Sequence, residues 1–134
     1  MTLATIAAQL PNGFHDAHLR RLAVDYVDRR ATLALDLSVG DVDADAHAER
    51  EAYRPAVITI SGLLWCVIEA PRTNDESRDD LWIDAGPVST LKKKPSIPAS
   101  PEDAFAWWIF VNQWNAFIYI AARNASLEWQ DEQR

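Results

Sequence analysis

Hydrophobic positions along this chain change period several times, and each change marks an expected element. Leu3, Ile6, Ala7 and Leu10 recur at helical spacing, which predicts a short helix over residues 2–9. Pro11-Asn12-Gly13 stops it with turn chemistry. From Leu19 to Val27 the period falls to two. Leu22, Val24 and Tyr26 share one face, with Arg21, Ala23 and Asp25 on the other. After the polar break Asp28-Arg29-Arg30, Leu33, Leu35, Leu37 and Val39 alternate with Thr32, Ala34, Asp36 and Ser38. Two such runs joined by a short polar link predict a β-hairpin.

Residues 40–54 turn acidic and alanine-rich and predict an excursion from the sheet, either a loop or a short helix from Ala44 to Tyr53. On such a helix His47 and Glu51 share one side. Strand chemistry resumes at Pro55–Ile60 and continues to Ile68, with Gly62 marking a bulge or sharp bend. Residues 70–80 are polar, Leu81–Asp84 form a short strand ending at Gly86-Pro87, and the proline-rich stretch 87–103 is a surface connection. Ala104–Val111 and Ala116–Ala122 are two apolar strands around Asn112-Gln113-Trp114-Asn115, and Ser126–Trp129 suggests a last strand before a polar tail. In the first, Phe105, Trp107, Ile109 and Val111 oppose Trp108 and Phe110; in the second, Ile118 and Ile120 oppose Phe117 and Tyr119. The expected fold is therefore mainly β. It is one domain over residues 1–134, an antiparallel sheet in two layers or curled into a barrel-like form, with a short N-terminal helix. If only one layer exists, the greasy outer face of Trp108, Phe110, Phe117 and Tyr119 must meet a helix or another subunit, which makes a homodimer one expectation.

Composition narrows the function classes. Apolar residues at 49% and charged residues at 25% place the 134-residue chain among globular domains rather than disordered ones. The formal net charge of −7 argues against nucleic acid and anionic membranes as partners and in favour of a basic protein. Lys92, Lys93 and Lys94 form the one basic run, flanked by prolines, and read as a solvated loop tip. Cys66 is the single cysteine and sits in an apolar run, so it is expected to be buried and inert. With no basic leader before the apolar start and no run long enough to span a bilayer, the expected location is the cytoplasm.

Candidate chemistry is sparse. His15 and His18 are spaced like paired ligands on a helical turn, with Asp16 between them. The segment enters a strand, however, where positions three apart face opposite ways. The favoured reading is structural: Phe14 plugs the core while His15 and Asp16 bond to the backbone of the turn. Asp41–Asp45 resembles the start of a calcium loop but has Ala46 and Ala52 where a glycine and a bidentate glutamate are needed. No metal or other cofactor is expected. If the protein is an enzyme, His15, Asp16, His47 and Glu51 are the catalytic candidates. For a protein contact, Tyr53, Arg54 and Trp114 with its flanking Asn112 and Asn115 are the candidates, because aromatic rings and arginine anchor interfaces; for Trp114 the favoured alternative is a ring folded back onto the sheet edge.

The opening Leu10-Pro11-Asn12-Gly13-Phe14-His15-Asp16-Ala17 before an alternating strand resembles a group of small uncharacterised bacterial β proteins with a Phe-His-Asp-Ala signature. Glu51-Ala52-Tyr53-Arg54-Pro55, Trp114-Asn115-Ala116-Phe117 and Leu127-Glu128-Trp129 are also similar to that group, and the likeness extends over most of the chain. The opening alone is similar to that of some polymorphic-toxin immunity proteins, compact acidic domains that neutralise a toxin by binding it. The first resemblance carries over no catalytic residue. The second implies a non-catalytic protein-binding domain. A small enzyme or a ligand or metal binder at the His15–Asp16 turn, and a structural homodimer, are the alternatives.

Overall fold

The computed structural model describes residues 1–41, 43–73 and 81–130. In it the alternating stretches become six strands: β1 (Ala17–Asp25), β2 (Arg30–Ser38), β3 (Tyr53–Ile68), β4 (Leu81–Pro87), β5 (Phe105–Val111) and β6 (Ala116–Trp129). Every pairing is antiparallel, and the order β1-β2-β3-β6-β5-β4 closes on itself through β4 and β1 as a barrel. Closure pairs the strand edges that an open sheet would expose. The expected N-terminal helix is α1 (Leu3–Gln9), capped by Thr2, whose hydroxyl accepts the Thr5 amide at 3.1 Å. The excursion after β2 holds one further short helix, α2 (His47–Arg50).

The hairpin expected from residues 19–39 is β1–β2, in register from Asp25↔Arg30 to His18↔Asp36. Its turn is built by Asp25, whose carboxylate accepts the amides of Val27 and Asp28 at 3.0 and 3.1 Å. A register shift between Leu19 and Arg21 leaves Arg20 and Arg21 both exposed. Tyr26, expected on the face of Leu22 and Val24, instead lies past the end of β1 with 53% of its surface exposed.

Gly62 does bend its strand without ending it. It has φ +62°, and the β3–β6 register shifts between Leu63 and Trp65. Buried positions accordingly run Ala56, Ile58, Ile60 and then Leu63, one residue out of phase. The same irregularity merges two expected strands into one. Arg123 and Asn124 of β6 lie opposite the bulge and are both exposed, so the alternation breaks there although the strand continues to Trp129. Strand β4 likewise runs on through Gly86 to Pro87. The polar stretch read at 70–80 lies, from residue 74 onward, outside the described residues, as does the tail after 130.

Side chains fill the barrel. Leu33 and Leu35 of β2, Ile58 and Ile60 of β3, Ile109 of β5 and Ile120 of β6 all point into one apolar core, which Leu3 and Ile6 of α1 join. The void left between Leu3, Phe14, Leu35, Ile58, Ile83 and Trp107 measures ≈ 10 Å³, room for about one water at most. An eight-stranded barrel is about the smallest that holds a ligand inside. This six-stranded one is packed shut, so any recognition takes place on its outer surface.

On that surface, Trp108, Phe110, Phe117 and Tyr119 form a continuous row, with the Phe117 and Tyr119 rings stacked at 5.4 Å and Trp108 edge-on to Phe117. The proline-rich connection after β4 returns over it. Trp108 Nε1 donates to Thr90 Oγ1 at 3.1 Å, and Leu91, Lys93, Lys94 and Pro95 line a groove with Phe117 and Tyr119. The chain's own connection thus covers part of the greasy face. Among the described residues no helix is long and apolar enough to cross a membrane.

Candidate functional site

The turn between α1 and β1 is held at two points. Phe14 turns into the core and meets Trp107 edge-on, with ring centroids 5.7 Å apart. Asn12 reaches across to the end of β2, its Nδ2 donating to the carbonyls of Ser38 and Gly40 at 3.2 and 2.9 Å and to Ser38 Oγ at 3.1 Å. Gly40 is required there, because a Cβ would fall 2.0 Å from the Arg50 carbonyl oxygen where the excursion folds back. Anchored this way, the turn presents its next two residues outward. Asp16 takes a left-handed conformation, φ +55°, which aspartate tolerates better than most residues.

His15 lies between two carboxylates. Its Nδ1 is 2.6 Å from Asp84 Oδ1 on β4, and its Nε2 is 3.3 Å from Asp16 Oδ2. Both ring nitrogens therefore face acceptors, the arrangement that suits a protonated imidazolium. The hydrogen bond to Asp84 and that carboxylate's charge, with Asp16 adding to them, raise the His15 pKa above its ordinary 6.5 against a smaller opposing effect of burial.

Beside this cluster three rings pack together, His18 stacked on Tyr53 and tilted against Trp82. His18 packs between Tyr53 and Trp82, its centroid 4.6 Å from each. Tyr53 donates its hydroxyl to the Asp16 carbonyl at 3.3 Å. Burial, with Asp16 and Glu51 nearby, raises its pKa, so the phenol stays neutral. Trp82 is 42% exposed, the one exposed tryptophan of the six. Its main chain is fixed by the β5–β6 turn. The Trp82 amide donates to Gln113 Oε1 at 2.9 Å, and Asn112 Nδ2 donates to the Trp82 carbonyl at 3.3 Å. Arg50 and Glu51 complete the far wall of an open cleft of ≈ 520 Å³.

The structure brings four of the sequence candidates together here: His15, Asp16, Glu51 and Tyr53. His47 pairs with Glu51 at 3.3 Å on the exposed side of α2 and does not line the cleft. Arg54 points the other way along β3 and lies 4.4 Å above the Trp129 ring. Trp114, a contact candidate only if exposed at the hairpin tip, folds back against the core near Leu22, Leu81 and Ile118, the placement the sequence favoured. Asn115 supplies the left-handed turn beside it, at φ 48°. Asn112 takes part only through the Trp82 backbone. Sequence reasoning missed Trp82 and Asp84 as site residues, although the alternation Trp82-Ile83-Asp84 around a buried Ile83 already puts both on the outer face. Cys66 is half-buried far along β3, and burial pushes its pKa up to about 11, so it holds no thiolate at neutral pH.

No family model and no curated protein matches the chain. Among solved structures, that of an uncharacterised protein from Neisseria gonorrhoeae is similar over 85% of this chain and 91% of its own, with 13% identity and a TM-score of 0.44.

Chemically, the cleft offers a cluster of aromatic rings lined by the carboxylates of Asp16 and Glu51, with Asp84 behind His15. A guanidinium or ammonium group can lie on such rings while pairing with the acids.

Proposed function

We propose that this chain is a non-catalytic binding domain of a bacterial cytoplasmic protein, and that it grips a basic partner protein through the Trp82–His18–Tyr53 cleft. The observation that carries the reading is the Trp82 ring. It is solvent-facing and packs at a tilt against His18, on a main chain held by the Gln113 and Asn112 side chains of the β5–β6 turn. A rigid aromatic ring loses little freedom on binding, and such rings dominate interface energies. Three further features support it. The packed barrel leaves the outer surface for recognition; a net charge of −7 attracts a basic surface; and the carboxylates of Asp16 and Glu51 line the cleft beside the rings.

Native mass spectrometry of the protein isolated gently from its own source tests the reading. A bound foreign chain with a basic sequence is expected. Trp82→Ala is expected to weaken that complex by about 2 kcal/mol, roughly thirtyfold in Kd. A protein that comes out free of foreign chains, or a partner held equally well by Trp82→Ala and Tyr53→Ala, would overturn the proposal.

A further inference from the structure

We infer that His15, Asp16 and Asp84 form a binding site for a divalent transition-metal ion at the mouth of the cleft. One ligating atom from each residue lies within 4.8 Å of the other two. Ligands that share an ion at about 2.0–2.2 Å stand roughly 3 to 3.5 Å from one another. The His15 Nε2 to Asp16 Oδ2 distance of 3.3 Å already meets that spacing. The 2.6 Å contact between His15 Nδ1 and Asp84 Oδ1 is a hydrogen bond, which opens when the ring turns to coordinate. The imidazole is 71% exposed and has the room to turn.

The donors come from two parts of the chain 69 residues apart, and each part is fixed independently. Asp84 stands on a strand paired on both sides, while the turn carrying His15 and Asp16 is clamped through Phe14 and Asn12. The backbone positions of the three residues are thus set before an ion arrives, and the His15 ring is what has to turn to complete the site. Its charge also calls for a cation. Two carboxylates face one imidazole, so even with His15 protonated the cluster carries one net negative charge. A divalent ion with a neutral imidazole brings it to zero. An imidazole in the donor set favours first-row transition ions over calcium or magnesium, which prefer oxygen ligands throughout. With three protein ligands at an open cleft, water or a partner's side chain fills the other positions.

The sequence argued against His15 and His18 as a ligand pair, and they are not one: His18 packs between the Tyr53 and Trp82 rings, and the third ligand is Asp84 instead. The inference does not rest on the partner-binding reading, because the ion binds the free domain.

The test is a calorimetric titration of Zn²⁺ into chelator-treated full-length protein near neutral pH, with circular dichroism confirming that each variant is folded. One equivalent is expected to bind. His15→Ala and Asp84→Asn are each expected to weaken binding by at least about tenfold, and His47→Ala, which removes the other exposed histidine–carboxylate pair, is expected to leave it unchanged. Histidine side-chain NMR on the wild type gives a second readout that needs no variant: the ring signals of His15 should respond to Zn²⁺, and those of His47 should not. An absence of uptake, binding that survives both substitutions, or a response confined to His47 would overturn the site.

Discussion

His15 is held between Asp84 and Asp16, and its protonation is coupled to both. The folded-state pKa is raised above 6.5, so the stabilisation from this charge cluster is fully present below pH 6.5 and is lost as pH rises through the higher folded value. With the ring mostly in solvent, the stability effect is small; the titration itself is the sharper measurement. NMR of the metal-free protein is expected to show His15 titrating above 6.5, and Asp84→Asn should bring it back toward that value. A His15 that titrates normally in both proteins would show that the Asp84 contact is not formed in solution. This residue-level arrangement was only half legible in the sequence. The turn residues and Phe14's role as a plug follow from local chemistry. The Asp84 partner is supplied by barrel closure between β1 and β4, which no local pattern encodes. Asp36 was also missed. It is the one buried charged residue among those described, tolerated because Arg20, next to the β1 register shift, bonds its carboxylate at 2.5 Å.

At the scale of elements, period-two alternation identified the β1–β2 hairpin and the two faces of β5, because each of these strands has one face in the core. What blurred the rest was irregular register. Gly62 sits in the left-handed region with its Cα close to the Arg123 side chain of β6; a Cβ there would lie 3.1 Å from Arg123 Cβ. That bulge shifts the inward phase on both β3 and β6, which is why β6 reads as two strands although it is one. Gly62→Ala places a side chain at φ +62° and is expected to cost about 1–2 kcal/mol, seen as a lower denaturation midpoint in urea with an unchanged slope. Stability equal to wild type would mean the bulge is not fixed by this glycine. Trp114 was read with two placements. The flanking asparagines marked a turn, and the favoured placement of the ring, folded back rather than exposed at the tip, is the one found, against Leu22 and Ile118.

At the scale of the whole molecule, a mainly antiparallel β fold followed from the short alternating strands and from two apolar faces on the C-terminal hairpin, which left a two-layer sheet and a barrel-like one both open. The strand order and the closure through β4 did not, since strands adjacent in sequence need not be neighbours: β3 pairs with β6, some fifty residues away, as well as with β2. Closure and a filled interior move recognition to the outside. There the two apolar surfaces differ. The Trp108–Phe110–Phe117–Tyr119 row is partly covered by the connection after β4, which reduces the need for a second subunit to shield it. The Trp82 cleft is open, aromatic and acid-rimmed. Hydroxyl-radical footprinting of the protein, free and in the complex recovered from its source, separates these surfaces because Trp82 is the one exposed tryptophan. Oxidation of Trp82 is expected to be strong in the free protein and suppressed in the complex, with Trp108 unchanged. Equal oxidation of Trp82 in both states, with protection appearing at Trp108 instead, would contradict the cleft as the binding surface.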